Sequence, residues 1–264
     1  MAAVPIAADD AAFLASLPGW AFAAALLIAR IGSAAMLLPG IGEMEVPPTI
    51  RAGFTLAMVA VVLPVVLPLV PPAPSDAWRA AAMVGAEIAT GLWLGWLTRL
   101  LLLALPVAGQ MIASLIGLAN VIQPDPALGP QTAVVSRALG LAAPVMILAS
   151  GLHALPLAAL AGSYRLVPPG ALLPAVDTAQ LAVRAVAHSF AFALQLAAPF
   201  VLAGLVWQAG LAVLARLVPQ LQIYFAAMPG LIIGGTALLA LLAAALLGTW
   251  QAGVREGFLA LPGL

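Results

Sequence analysis

The sequence contains no cysteine and no lysine, and only 7% of its residues carry a charge. Without cysteine there can be no disulfide, thiolate metal site or cysteine nucleophile. Without lysine there can be no phosphate-binding P-loop, because that motif requires the lysine ammonium group. All nine basic residues are therefore arginine, and nine acidic residues balance them. No basic patch is present, so we expect no nucleic-acid partner.

Motifs for catalysis and metal binding are missing as well. The only two histidines, His153 and His188, lie far apart, and no H-E-x-x-H helix is present. There is also no G-x-S-x-G nucleophile turn. We therefore expect neither enzyme activity nor a bound metal or cofactor.

Apolar residues dominate what is present. They make up 65% of the chain, and the mean hydropathy is +1.18. The charged fraction of 7% is far below the value of about 25% that is usual in a soluble domain. Between Arg184 and Arg255, Arg216 is the only formally charged side chain. A helix of that length would exceed the hydrocarbon thickness of a bilayer severalfold. The predicted fold class is an all-α polytopic membrane protein, with residues 1–264 forming a single domain.

Six apolar stretches have the length of a membrane span. They cover approximately residues 17–38, 52–72, 80–105, 132–155, 185–214 and 230–250. The 23 prolines and 24 glycines predict broken helices. Non-helical backbone at membrane depth is tolerated only when it is buried in protein or lines water. We therefore expect protein neighbours on several sides of the chain.

Several charged residues fall inside or at the ends of these stretches. An arginine at mid-bilayer costs at least about 2.5 kcal/mol, so Arg30, Arg99 and Arg216 are expected to face protein, water or headgroups. Glu87 is expected to pair with an arginine of this chain or of a neighbour. Gly91 and Gly95 follow it at helical spacing, and such glycines let helix backbones approach closely.

Two polar stripes recur at helical spacing. The first contains Gln110, Ser114, Gly117 and Asn120. The second contains Gln180, Arg184, His188 and Gln195. Each stripe lies on one face of a helix. That face can line water or a pore, or it can form interhelical hydrogen bonds; spacing alone leaves both interpretations open.

Four segments together resemble one known family. They are Val46-Pro47-Pro48-Thr49-Ile50-Arg51; Ala108-Gly109-Gln110-Met111-Ile112 with Gly117-Leu118 and Asp125-Pro126; Ser163-Tyr164-Arg165-Leu166-Val167-Pro168-Pro169-Gly170; and Arg216-Leu217-Val218-Pro219-Gln220-Leu221 with Tyr224-Phe225. The chain resembles the FliR family, the export gate subunits of flagellar type III secretion, which are related to SctT of injectisomes.

The resemblance implies a subunit of the flagellar export gate in the bacterial inner membrane, at the basal body. It implies a helical, pore-containing assembly with FliP-like and FliQ-like chains. FlhB-like and FlhA-like chains are implied as further partners, unfolded flagellar proteins as substrates, and lipid as surroundings. Arg30, Glu87, Arg99, Arg216 and Gln220 are expected at subunit interfaces or as buried charges.

In the family, the loop after the central helix plugs the pore. Here that plug loop maps to Gly117, Leu118, Ala119, Asn120, Val121, Ile122, Gln123 and Pro124. Relatives tend to carry aromatic residues in the loop, whereas positions 119–122 here are not aromatic. The residues by themselves allow a loop that closes a pore by dewetting, or a packed connector.

Two other functions stay open from the residues. One is a secondary transporter with discontinuous helices, in which Glu87 and Arg99 are the first candidates for a midplane site. The other is a structural scaffold that conducts nothing.

Overall fold

The protein is described here by a computed structural model. The backbone is described for residues 8–118, 134–217 and 223–264, and the side chains of these ranges except 8–15, 224 and 225. In these ranges the chain forms seven α-helices and one short 3₁₀ turn, with no strand. The helices are α1 (Ala8–Ala35), α2 (Pro48–Val66), α3 (Ala77–Leu115), α4 (Val134–Ala149), α5 (Ala154–Leu166), α6 (Ala175–Leu217) and α7 (Ile223–Leu259).

Turn chemistry sets the helix ends. Helix α2 starts with a proline in its first turn, where the missing N–H has no helical partner anyway. Near the start of α3, the Asp76 carboxylate accepts the backbone N–H of Trp78 at 3.0 Å. Helix α5 ends at Leu166, and Pro168 and Pro169 follow it. Proline pushes the preceding residue out of the helical region, which explains that end.

Internal prolines do not end most of these helices. Helices α3 and α6 run for 39 and 43 residues, through Pro106 and Pro199. The fourth apolar stretch, in contrast, is divided, because α4 ends at Ala149 and α5 begins only at Ala154. Gly151 lies in this break with φ +74°, a conformation that only glycine adopts without strain. This is the broken span that the glycine and proline content predicts.

The predicted membrane-spanning character is confirmed. Within the described part of the chain, five helices are long and apolar enough to cross a membrane, or six if the α4–α5 pair is one span. The apolar stretches underestimate the length of α3 and α6. Both helices continue into the polar stripes, which lower the local hydropathy but keep helical periodicity. At about 1.5 Å per residue, the 43 residues of α6 extend about 65 Å.

The chain divides into two compact units. Unit 1 contains the described residues up to Arg99, together with His153–Gln180 and Leu259–Leu264. Unit 2 contains Leu100–Leu152 and Leu181–Phe258, as far as they are described. The core of unit 1 is built from apolar side chains of α1, α2, α3 and α5. Its buried members are Leu27, Ile31, Ala34, Leu38, Val59, Val62, Val66, Leu94, Leu160 and Tyr164.

Unit 2 packs through aromatic side chains and small residues. Trp250 and Phe258 of α7 and Phe200 of α6 are almost fully buried. A Cβ at Gly253 would overlap the ring of Phe192, so α7 lies directly against α6. Much apolar surface nevertheless has no cover from this chain, since only 6% of the apolar window in α7 is buried. Lipid or other subunits must cover that surface.

Candidate functional site

A buried ion pair joins α1 to α3. The guanidinium of Arg30 donates from Nε to Glu87 Oε2 at 2.7 Å and from Nη2 to Glu87 Oε1 at 2.9 Å. Both side chains have 0% exposure. Two parallel hydrogen bonds to one carboxylate are the geometry that the planar guanidinium favours. The structure thus identifies the arginine that the isolated Glu87 was expected to require.

Helix α5 and the segment after it complete the shell around this pair. Arg30 Nη1 donates to Ser163 Oγ at 3.2 Å, and Nη2 donates to the Val167 carbonyl at 3.0 Å. The guanidinium carbon lies 4.2 Å from the centre of the Tyr164 ring, within the range of a cation–π contact. On the other side, the Gly170 N–H donates to Glu87 Oε1 at 2.7 Å. Helices α1, α3 and α5 and the loop after α5 therefore all contribute contacts to this ion pair.

Glycines bring the backbones close enough for this contact. A Cβ at Gly91 would overlap the carbonyl oxygen of Arg30 and the hydroxyl of Ser33. One turn later, a Cβ at Gly95 would lie 2.9 Å from the carbonyl oxygen of Ala34. The close approach predicted from the G-x-x-x-G spacing is therefore present, and α1 is its partner. Gly170, with φ +78°, allows the loop to turn its N–H toward Glu87.

A second ion pair is half-buried. Arg99 Nη2 lies 3.3 Å from Glu43 Oε2, and the two side chains are 30% and 20% exposed. Glu87 and Arg99, the first candidates for a transporter site, therefore have different partners: Arg30 pairs with Glu87, and Glu43 pairs with Arg99. Arg30 is buried in protein and Arg99 is partly covered, while Arg216 is exposed on α6. Gln220 lies outside the described residues.

Of the first stripe, only Gln110 and Ser114 lie in α3; Gly117 follows the helix, and Asn120 lies outside the described residues. Gln110 and Ser114 are both exposed. The Ser114 hydroxyl donates to the Gln110 carbonyl at 2.9 Å, a bond that its own helix supplies. Ser114 thus needs no other helix of this chain as a partner.

The stripe on α6 is exposed along its whole length. Gln180, Arg184, His188 and Gln195 are all exposed. The His188 ring stacks on Phe192, with centroids 6.1 Å apart and planes at 29°. These polar groups are available to water or to another subunit.

The plug loop is described only at its beginning. Gly117 has φ +77° and follows the last turn of α3, and its neighbours include Leu231 of α7. Leu118 donates its N–H to the Ala113 carbonyl at 2.8 Å, which terminates the helix. The remaining six positions, Ala119, Asn120, Val121, Ile122, Gln123 and Pro124, lie outside the described residues.

Sequence reasoning assigned no role to three residues of the shell around the ion pair. Ser163, Tyr164 and Gly170 all lie in the segment that carries the family resemblance, but their spacing to Arg30 gives no contact signal. The available signal was a serine and a tyrosine beside Arg165, and a glycine directly after two prolines. Such residues are typical of a site where a buried charge needs polar partners.

These features define a class: an integral membrane protein of long apolar helices, with internally neutralised charges and exposed polar faces. The family model described as "Bacterial export proteins, family 1" matches residues 21–257, and the chain belongs to that family. It is 34% identical to flagellar biosynthetic protein FliR of Caulobacter vibrioides over 235 residues, 89% of this chain and 94% of the relative.

A more distant relative carries the same name. Flagellar biosynthetic protein FliR of Bacillus subtilis is 26% identical over 209 residues, which cover 77% of this chain and 79% of that protein. The resemblance stated from the four segments is thus confirmed along most of the chain. The protein is a FliR-family integral membrane protein of flagellar export.

Proposed function

We propose that this chain is a subunit of the flagellar type III export gate in the bacterial inner membrane, at the basal body. It forms the secretion pore together with FliP-like and FliQ-like chains. The observation that carries this proposal is the family match over residues 21–257. Both named relatives are flagellar biosynthetic proteins of similar length, since this chain covers 94% and 79% of them.

The polar face of α6 supports a role in lining the export route. Gln180, Arg184, His188 and Gln195 are exposed in this chain, although α6 is apolar enough to span a membrane. Placing an arginine against hydrocarbon costs at least about 2.5 kcal/mol. In the assembly this face therefore turns toward a water-filled route or toward polar groups of a neighbouring subunit. Gln110 and Ser114 on α3 are proposed to serve the same purpose.

The buried ion pair supports a gate subunit more than a transporter. The carboxylate of Glu87 is closed in by Arg30 and Gly170 and has no exposure. A coupling site must exchange protons or ions with water, and this carboxylate does not reach water. We propose that Arg30 and Glu87 brace unit 1, so that the chain enters the assembly with its internal charges already paired.

The plug loop completes the proposal. Residues 117–124 close the pore until a substrate arrives, by aliphatic packing around Val121 and Ile122. Unfolded flagellar proteins then pass through the opened route, and partner subunits supply the energy. FlhB-like and FlhA-like chains are the proposed further partners, and residues 1–264 act as one functional domain.

Copurification tests the assembly. The full chain, tagged and extracted from its own membrane, is expected to bring down FliP-like and FliQ-like chains in a complex of defined mass. A chain that purifies alone, or as a symmetric oligomer that binds a small solute, contradicts the proposal.

A leak measurement tests the plug. Replacing Val121 and Ile122 by glycine is expected to let small solutes through the assembled gate, because the aliphatic seal is removed. The matched control carries leucine at both positions, which keeps the apolar volume, and it should stay closed. If the glycine variant assembles normally and leaves ion permeability unchanged, residues 121 and 122 do not seal the pore.

A further inference from the structure

An open apolar groove runs along α6 and α7 within unit 2. The lining residues of α6 lie between Leu202 and Leu214 and those of α7 between Ile223 and Ala227, and all of them are aliphatic, aromatic or glycine. The volume of the groove is about 870 Å³, within the range of about 300–1,000 Å³ that is usual for ligand-binding clefts. We call it the α6–α7 groove.

Small residues leave the space that forms this groove. Gly210, Ala226 and Ala227 lie in its walls, and a Cβ at Gly210 would meet nothing within 4 Å. The ring of Trp207 joins the two walls, since a Cβ at Gly230 of α7 would lie 3.2 Å from Trp207 Cη2. The groove is therefore built into the packing of the two helices.

The length of the groove corresponds to one leaflet of a bilayer. From Leu202 to Leu214 the wall formed by α6 extends about 18 Å, at about 1.5 Å per residue. One leaflet contributes about 15 Å, half of the hydrocarbon thickness of about 30 Å. Both helices are apolar enough to cross a membrane. The groove thus matches an acyl chain, whereas a spanning helix would need a groove through both leaflets.

A single positive charge lies at one end of the groove. Arg216 follows Leu214 by two positions and is exposed. Among the described residues the ion pairs are those of Arg30 and Arg99, so Arg216 forms none. Positions 178–254 contain no acidic residue that could neutralise it. The long side chain of arginine lets its guanidinium reach a headgroup layer, where it can bind a phosphate through two hydrogen bonds.

We propose that the α6–α7 groove binds one phospholipid that has an anionic headgroup. An acyl chain of this lipid lies against Trp207 and Gly210, and its phosphate accepts hydrogen bonds from the guanidinium of Arg216. This binding does not depend on whether the chain lines a pore, so the phospholipid site and the proposed export function can fail separately.

Charge and length disfavour the other occupants of the groove. Two copies of this chain in one membrane share an orientation, so a twofold contact would place both Arg216 side chains at the same depth. Like charges that face each other are unfavourable, and α6 and α7 offer no acid nearby to separate them. A spanning helix of another protein would extend well beyond the groove and would need a carboxylate opposite Arg216.

Native mass spectrometry of the full chain tests the headgroup contact. The chain is reconstituted in nanodiscs of phosphatidylglycerol and phosphatidylcholine in equal parts, with identical acyl chains. The released protein is expected to retain one phosphatidylglycerol in preference to phosphatidylcholine. Arg216→Gln should lower this preference roughly fivefold, the factor for one arginine beside an anionic headgroup, whereas Arg216→Lys should keep it. Arg137→Gln is the matched control, because Arg137 is exposed on α4 and lies outside the groove.

A second variant tests the groove itself. Gly210→Leu should remove most of the retained lipid of both kinds, because the new side chain enters open space and fills the groove. Gly248→Leu on α7 is the matched control: its Cβ would also meet nothing within 4 Å, and it does not line the groove. Leucine favours a helix more than glycine does, so both variants should fold, and an unchanged or raised melting temperature verifies that.

A photoreactive amino acid in place of Val206 identifies the occupant in the chain's own membrane. Val206 lines the groove and is 75% exposed, so the label should form a phospholipid adduct. A protein adduct or a crosslinked dimer at this position would overturn the phospholipid site. So would equal lipid retention by Gly210→Leu and Gly248→Leu, or an unchanged headgroup preference in Arg216→Gln.

Discussion

Arg30 and Glu87 are 57 positions apart in sequence and share two hydrogen bonds, of 2.7 and 2.9 Å, with no exposure to solvent. Each charge is the main reason that the other is tolerated inside the protein. Removing one partner of a buried pair leaves an uncompensated charge, whereas removing both can be nearly neutral. This asymmetry makes the role of the pair measurable.

Glu87→Gln is expected to destabilise the protein by about 3–5 kcal/mol, because Arg30 then lies buried without an anion. For a chain of this size, that corresponds to a fall in melting temperature of roughly 10 °C. Thermal unfolding of the detergent-solubilised protein measures it. Arg30→Met combined with Glu87→Leu should recover most of the loss; a double variant as unstable as Glu87→Gln would contradict a charge-based explanation.

The half-buried pair provides the control for this measurement. Glu43→Gln removes the carboxylate that faces Arg99 at 3.3 Å. Partly exposed pairs contribute only about 0–1 kcal/mol, so the melting temperature should hardly change. A loss equal to that of Glu87→Gln would mean that burial does not explain the difference.

Gly91→Ala is expected to destabilise the packing of α1 against α3 by about 2 kcal/mol, because a new Cβ would overlap backbone and side-chain atoms of α1. Gly85→Ala in the same helix is the matched control. Its Cβ would meet nothing within 4 Å. Alanine stabilises the interior of a helix by about 0.5–1 kcal/mol relative to glycine. Opposite signs of the two melting-temperature changes are expected. Equal changes would show that the close approach has no effect on stability.

Gly170→Ala and Gly151→Ala separate backbone strain from the ion pair. Both positions have positive φ, +78° and +74°, so each substitution costs about 1–2 kcal/mol from the left-handed conformation. Only at Gly170 would the new Cβ also overlap Met83, and of the two residues only Gly170 donates its N–H to Glu87. Chemical denaturation should therefore show a larger loss for Gly170→Ala. Identical losses would mean that neither the crowding against Met83 nor a displaced contact with Glu87 adds to the cost of the left-handed conformation.

Replacing both Arg184 and His188 by leucine is expected to reduce flagellar export without changing the melting temperature. Both side chains are exposed in this chain, so the substitutions are expected to disturb little beyond the stacking of His188 on Phe192. Val183→Leu is the matched control, since Val183 is 69% exposed on an adjacent face of α6. Swimming and secretion assays measure the effect. Normal export by the double variant would show that this face of α6 does not line the export route.

The helical architecture could be predicted because it follows from local composition. Six apolar stretches of spanning length correspond to five long helices and one bent pair. The predicted helix ends were less accurate where polar side chains continue a helix, as at Gln110 and Gln180. Periodicity still marked these residues as one face, since helical spacing does not depend on hydropathy.

The partners of the charges could not be predicted in the same way. Glu87 in an apolar stretch signals that a cation is needed, but any of nine arginines can supply it. The structure selects Arg30 for Glu87 and Glu43 for Arg99. That selection depends on how α1, α3 and α5 cross, which nothing local in the chain encodes.

The amino-acid sequence alone determined the class of the protein, its spans and the helix faces that carry polar groups. Each of these depends on residues that are close together in the chain. Which charges neutralise each other and which glycines allow a neighbouring backbone to come close were decided only by the tertiary structure. These features join segments that are many residues apart, and only the packing of whole helices brings such segments together.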